Sequence, residues 1–153
     1  MPVVDPLPTR PDDPRLLLAY GTLKEDEPIH GGAAVPRVIT VRRGLRIPGR
    51  LYDVGAYPAA VLDHAALRGA RPVTTAFVAD LVRIVTASTS EEELEATLAA
   101  YDDYEDEEYR RIAIPLDDPA HTGAWIYEWV SPTTGLAPIP SGEWSLRHPP
   151  RDD

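Results

Sequence analysis

Apolar positions fall in short runs, and most of the runs are cut by turn-forming residues. Arg15–Tyr20 is an apolar run stopped by Gly21, the pattern of a buried strand. Val38–Arg46 and Arg50–Val54 predict two more strands, with Pro48-Gly49 as the turn between them. Ala59–Leu62 follows Tyr57-Pro58 as another short piece. Val73–Val85, rich in valine, isoleucine and threonine, predicts the longest strand. Tyr109–Leu116 and Ala124–Val130 alternate in the β manner, and the segment 117–123 between them has the length of a hairpin connection.

One segment has helical periodicity instead. Ser90 followed three positions later by Glu93 forms a capping-box pattern. Leu94, Leu98 and Tyr101 then repeat at spacings of four and three, a stripe along one helical face. Six or seven strands linked mostly by turns, with one principal helix, predict an α+β fold. Its sheet is expected to be mixed or antiparallel, curled or closed into a small barrel. Residues 1–14 are rich in proline and 147–153 are polar, so both read as disordered tails around a single domain over 15–146.

Composition narrows the function. The chain of 153 residues has 25 acidic and 15 basic side chains, a formal charge of −10. Such a chain repels nucleic acid and anionic membrane, and neither is an expected partner. No apolar run approaches the length of a membrane span. The first residues lack a basic stretch followed by an apolar one, so a cytoplasmic location is expected. Cysteine is absent, which excludes disulfides, thiolate metal sites and a cysteine nucleophile. His30, His64, His121 and His148 have no metal-like spacing, and no phosphate-binding glycine loop or serine-hydrolase elbow occurs. No metal and no cofactor is expected.

Three constellations could carry chemistry. The strand ending at Tyr20-Gly21-Thr22-Leu23 can present successive backbone N–H groups, a nest for a carboxylate; an ordinary turn fits the same residues. The acidic run Asp102–Glu108 sits where the negative end of the helix dipole disfavours it. Extending the stripe from Tyr101 by four reaches Glu105, which would turn toward the sheet. Glu107 and Glu108 fall off the stripe and are expected in water. Burial and like charge raise a carboxyl pKa into the range of a general base near neutral pH. A solvated acidic loop remains the plain alternative. Finally, tyrosine outnumbers phenylalanine seven to one, which suits a core with hydroxyls at the rim of a small polar pocket.

These residues resemble the γ-glutamyl cyclotransferase-like family. The resemblance rests on Tyr20-Gly21-Thr22-Leu23 after its strand, and on Gly49–Gly55 with Tyr57-Pro58-Ala59. It continues through Asp102–Glu105 with Tyr109-Arg110-Arg111, Ala124–Tyr127 and Ser141–Trp144. The matches keep the family's order from about 15 to 145. Two features depart from the pattern: Asp106 stands where the family has glycine, and the segment after Leu23 is short. The resemblance implies a small mixed β-barrel with flanking helices. It also implies a cofactor-free reaction in which the α-amine of a γ-glutamyl amide attacks its own γ-carbonyl, giving 5-oxoproline and a free amine. By motif position Glu105 would be the base and acid. The backbone of Gly21, Thr22 and Leu23 would hold the substrate carboxylate, and Tyr20, Tyr109 and Tyr127 would line the pocket. The expected partner is thus a small γ-glutamyl compound. A non-catalytic carboxylate-binding module of the same fold, or an interaction domain with an acidic surface, is the alternative.

Overall fold

In the computed structural model the described residues are 10–21, 38–54, 58–86, 90–105, 107–116, 118 and 120–144, the side chains of 104 and 105 excepted. Thr22, Leu23, Tyr57 and Asp106, named above, lie outside them. The strands are β1 (Leu16–Ala19), β2 (Val38–Asp53), β3 (Pro58–Leu62), β4 (Ala76–Ile84), β5 (Tyr109–Pro115), β6 (Gly123–Trp129) and β7 (Ala137–Pro138). The described residues also form two helices, α1 (His64–Leu67) and α2 (Glu91–Glu105). Strand order is β3-β2-β4-β1-β6-β5, with β7 on β2. The β1–β6 pair is parallel and the other pairs are antiparallel, so the sheet is mixed as expected.

Every residue of β1 and β6 is buried. Alternation therefore divides their side chains between two cores. Leu16, Leu18 and Tyr20 face inward with Phe77, Ile126 and Trp144. Leu17 and Ala19 face α2 with Trp125 and Tyr127. On the helix, Leu94, Leu98 and Tyr101 are buried in this second core, as the stripe requires. Each such side chain contributes about 1.5–3 kcal/mol by leaving water. Glu93 N donates to Ser90 Oγ at 3.2 Å, the expected N-cap.

Strand β2 corrects the expectation of a turn at Pro48-Gly49. It is one strand of 16 residues, longer than the 9-residue β4 that Val73–Val85 becomes. Its pairing with β4 ends at Pro48, and from Gly49 onward it pairs with β3. Gly49, at φ 145°, sits at the corner. A Cβ there would lie 2.4 Å from the Val61 carbonyl oxygen, so only glycine permits the crossing. Gly44, at φ 74°, lies where the β2–β4 register shifts, and its N–H is taken by the buried carboxylate of Asp80 at 3.1 Å.

The curled sheet is joined across its ends by side chains. Tyr109 of β5 donates its hydroxyl to the Pro58 carbonyl of β3 at 2.7 Å. Glu128 of β6, buried, accepts from Leu62 N of β3 at 3.3 Å and lies 2.7 Å from His64 Nε2. The tail expected over 1–14 is tied down in its described part. Arg10 pairs with Glu91, Asp13 with Arg83, and the Pro14 carbonyl accepts from Trp125 Nε1. No helix among the described residues is long and apolar enough to cross a membrane.

Candidate functional site

The β5–β6 hairpin and the end of α2 border an open cavity of about 520 Å³ lined by Asp102, Asp103, Glu107, Tyr109, Arg111 and Tyr127. Alternation puts Tyr109 and Arg111 on one face of β5, and the register sets Arg111 opposite Tyr127 and Tyr109 opposite Trp129. That face is the one on which α2 packs, so two strand residues meet the acidic helix end although they are distant in sequence.

Asp102 organises the wall. Its Oδ1 accepts from Tyr127 Oη at 2.6 Å and from Arg111 Nε at 2.9 Å, and its Oδ2 accepts from Arg111 Nη2 at 3.3 Å. The Arg111 guanidinium also lies 4.3 Å over the Trp125 ring. A bidentate cation thus offsets a carboxylate that the helix dipole disfavours. Beneath them Tyr101 is buried, and burial pushes its hydroxyl well above the usual tyrosine range, so it stays neutral.

Tyr20 is not among the lining residues of this cavity. Its ring sits in the inner core, edge-on to Phe77 at 5.6 Å, and its hydroxyl donates to the Tyr127 carbonyl, bracing β6 from behind. Gly21 lies against β3: a Cβ there would meet Pro58 Cγ at 2.6 Å. Pro58 is also the acceptor for Tyr109, so Gly21 reaches the cavity wall through one intervening residue. Trp129, edge-on to Tyr109 at 5.2 Å, has a buried Nε1 without an acceptor among the described residues.

Glu105 closes α2, two positions beyond Asp103 and two before Glu107, both of which line the cavity. Its side chain, and the nest at Thr22 and Leu23, lie outside the described residues. Glu107 is exposed, as expected, and it also forms part of the lining. Asp102 and Arg111 were not singled out as site residues from sequence. The signal for Arg111 was present, since alternation places it beside Tyr109. Among the described residues no three histidine, cysteine or acidic side chains are grouped to hold a metal.

A curled mixed sheet with a tyrosine-lined cavity at the acidic end of the one long helix among the described residues defines the class of protein. Residues 17–146 match the family model "Gamma-glutamyl cyclotransferase, AIG2-like", and the chain belongs to that family. Solved structures share the fold. The uncharacterized protein PH0828 from Pyrococcus horikoshii is similar at 18% identity and TM-score 0.54, covering 86% of this chain and 91% of that one. Escherichia coli ytfP, solved in solution, is similar at 24% identity and TM-score 0.54 over 86% and 97% of the two chains. The uropathogenic E. coli-specific protein c4763 is similar at 18% identity and TM-score 0.57 over 87% and 94%. No curated protein matches the chain.

Proposed function

We propose that the chain cyclises a γ-glutamyl amide to 5-oxoproline and releases a free amine, with Glu105 moving the proton. The α-amine nitrogen of the substrate bonds to its own γ-carbonyl carbon, and the C–N bond to the leaving amine breaks. The proton lost by the α-amine ends on the leaving nitrogen. One carboxyl group performs both transfers in turn, and neither a cofactor nor a protein nucleophile takes part. The folded substrate must be held so that amine and carbonyl meet, which supplies much of the acceleration. In this reading the backbone of Gly21, Thr22 and Leu23 holds the substrate carboxylate, Tyr109 and Tyr127 flank the glutamyl chain, and Tyr20 supports Tyr127.

The observation that carries the reading is the meeting of Tyr109 and Tyr127 with the residues on either side of Glu105 around one cavity. Family membership supplies the reaction type. The test is a panel of γ-glutamyl amino acids, γ-glutamyl amines and glutathione, with 5-oxoproline read by mass spectrometry. Turnover of one compound by the wild type and its loss in Glu105→Gln is the expected result. Binding of 5-oxoproline with no turnover of any compound would make the protein a carboxylate-binding module instead.

A further inference from the structure

Most of the arginines among the described residues are paired. Arg10, Arg42, Arg43, Arg71, Arg83, Arg110 and Arg111 each pair with a carboxylate. Among the described residues Arg46 and Arg50 do not, and neither do Arg15 and Arg68, in a chain whose acids outnumber its bases 25 to 15. Both line one groove of about 400 Å³ on the outer side of β2, walled opposite by Thr74 and Thr75 just before β4. Neither guanidinium and neither threonine hydroxyl has a protein acceptor among the described residues. Among the described residues its lining contains no carboxylate, whereas the cavity at the end of α2 has three.

The backbone keeps these donors together. The Gly49 corner lies between Arg46 and Arg50 and is fixed by its N–H to the Thr75 carbonyl at 3.1 Å. Gly142, at φ 69°, closes the floor: a Cβ there would lie 2.8 Å from the Ala76 carbonyl oxygen. The two arginines therefore project from a strand bend held against the threonine segment rather than from a loose loop.

We propose that this groove binds a tetrahedral oxyanion, the phosphate group of a small phosphorylated metabolite or free phosphate, through Arg46, Arg50, Thr74 and Thr75. Guanidinium forks match the oxygens of a phosphate, and hydroxyls complete the donor set. The volume lies in the range of small-molecule sites, so the rest of a monophosphate fits as well as the anion. Among the described residues the groove shares no lining residue with the cavity at α2, and the proposal stands whether or not the protein is a cyclotransferase.

The test is calorimetric titration of the full chain at low ionic strength with inorganic phosphate, a sugar monophosphate, a nucleoside monophosphate and, as control, acetate. Binding with a Kd of about 1 mM or tighter is expected for at least one phosphate compound. Arg46→Gln and Arg50→Gln should each weaken it about tenfold or more, as loss of a charge-assisted bond does. The double variant should abolish it. Arg68→Gln, which removes an arginine that is also without an acid partner but outside the groove, should leave it unchanged. Phosphate should raise the thermal midpoint of the wild type and not of the double variant, which separates lost binding from lost folding. Tighter binding of a monophosphate than of inorganic phosphate identifies a phosphorylated metabolite; equal binding identifies free phosphate. No binding by any phosphate compound, equal binding of acetate, or equal weakening by Arg68→Gln overturns the proposal.

Discussion

The Tyr127 hydroxyl donates to Asp102 Oδ1 at 2.6 Å, joining the middle of β6 to the acidic end of α2. Because Arg111 holds the same carboxylate, the three side chains form one wall of the cavity. Removing a single hydrogen bond to a charged acceptor costs about 1.5–3 kcal/mol, and less where the acceptor is partly in water. Asp102 is partly in water, its side chain being 43% exposed. Tyr127→Phe is therefore expected to cost about 1 kcal/mol in denaturant unfolding. Its cycle with Asp102→Ala should show a coupling of about 0.5 kcal/mol or more. Additive losses would mean that the bond contributes nothing to the wall.

Strand existence was legible because alternation and apolar runs report local burial directly, and the helix was legible because Ser90, Leu94, Leu98 and Tyr101 agree on cap and face. Pro48-Gly49 misled for a physical reason. The same two residues suit a reversal and a strand that changes partners, and only the long-range pairing with β3 and β4 decides between them. The Asp102–Arg111 pair was hidden because it depends on where β5 returns along α2, which no local pattern states. The short β7 and α1 carry too few residues for any period to register.

Glu105→Gln is expected to lower turnover by about 10² to 10⁴-fold while leaving the fold intact. Glu108→Gln is the suitable control and should stay near normal. Glu107→Gln belongs on the test side of the comparison, because Glu107 lines the cavity. A modest rise in KM with little change in kcat is expected for it. Equal turnover in all three variants would return the acidic run to a solvated surface.

Gly21 allows no side chain, because its Cβ would lie 2.6 Å from Pro58 Cγ. Gly21→Val must push β3 outward, and overpacking of this kind costs about 1–3 kcal/mol. The displacement should also lengthen the Tyr109–Pro58 hydrogen bond and weaken binding of 5-oxoproline. Gly21→Val combined with Pro58→Ala removes the clashing ring and should recover part of the stability. No recovery in the double variant would show that Gly21 serves something other than this contact.

Asp63 caps α1 by accepting from Ala66 N at 3.2 Å, and Arg71 holds the same carboxylate. The Arg71 hydrogen bond, opposed by burial and aided by the Ala66 N–H, keeps the Asp63 carboxyl below its ordinary value of 3.8. The folded state therefore binds the proton less readily than the unfolded chain. The resulting stability is fully present above about pH 4 and is lost as pH falls through the lower folded value. Asp13 behaves in the same direction: burial opposes the shift, but Arg83 and the Arg15 N–H outweigh it. Asp63→Asn should flatten the acid limb of the stability curve and leave its slope above pH 6 unchanged, as followed by urea unfolding between about pH 2 and 7. An unchanged acid limb would remove Asp63 from the groups that set it.

Glu128 joins β6 to β3, accepting from Leu62 N at 3.3 Å beside His64 at 2.7 Å and Arg110 at 3.4 Å. A carboxylate buried this deeply is kept only if its bonds are satisfied, and deleting it leaves the Leu62 N–H without its acceptor. Glu128→Ala is expected to cost about 3 kcal/mol or more. It should also speed amide exchange at Leu62 while leaving the β1–β4 amides protected. Glu128→Gln keeps an acceptor of the same shape for Leu62 and loses only the charge toward His64 and Arg110, so it should cost less than half as much. If the seam governs the mouth of the curl, Glu128→Ala should weaken 5-oxoproline binding as well, because β3 also carries the Pro58 carbonyl that anchors Tyr109. A destabilised variant with unchanged exchange at Leu62 would show that Glu128 acts through its own strand and not by joining the two ends of the sheet.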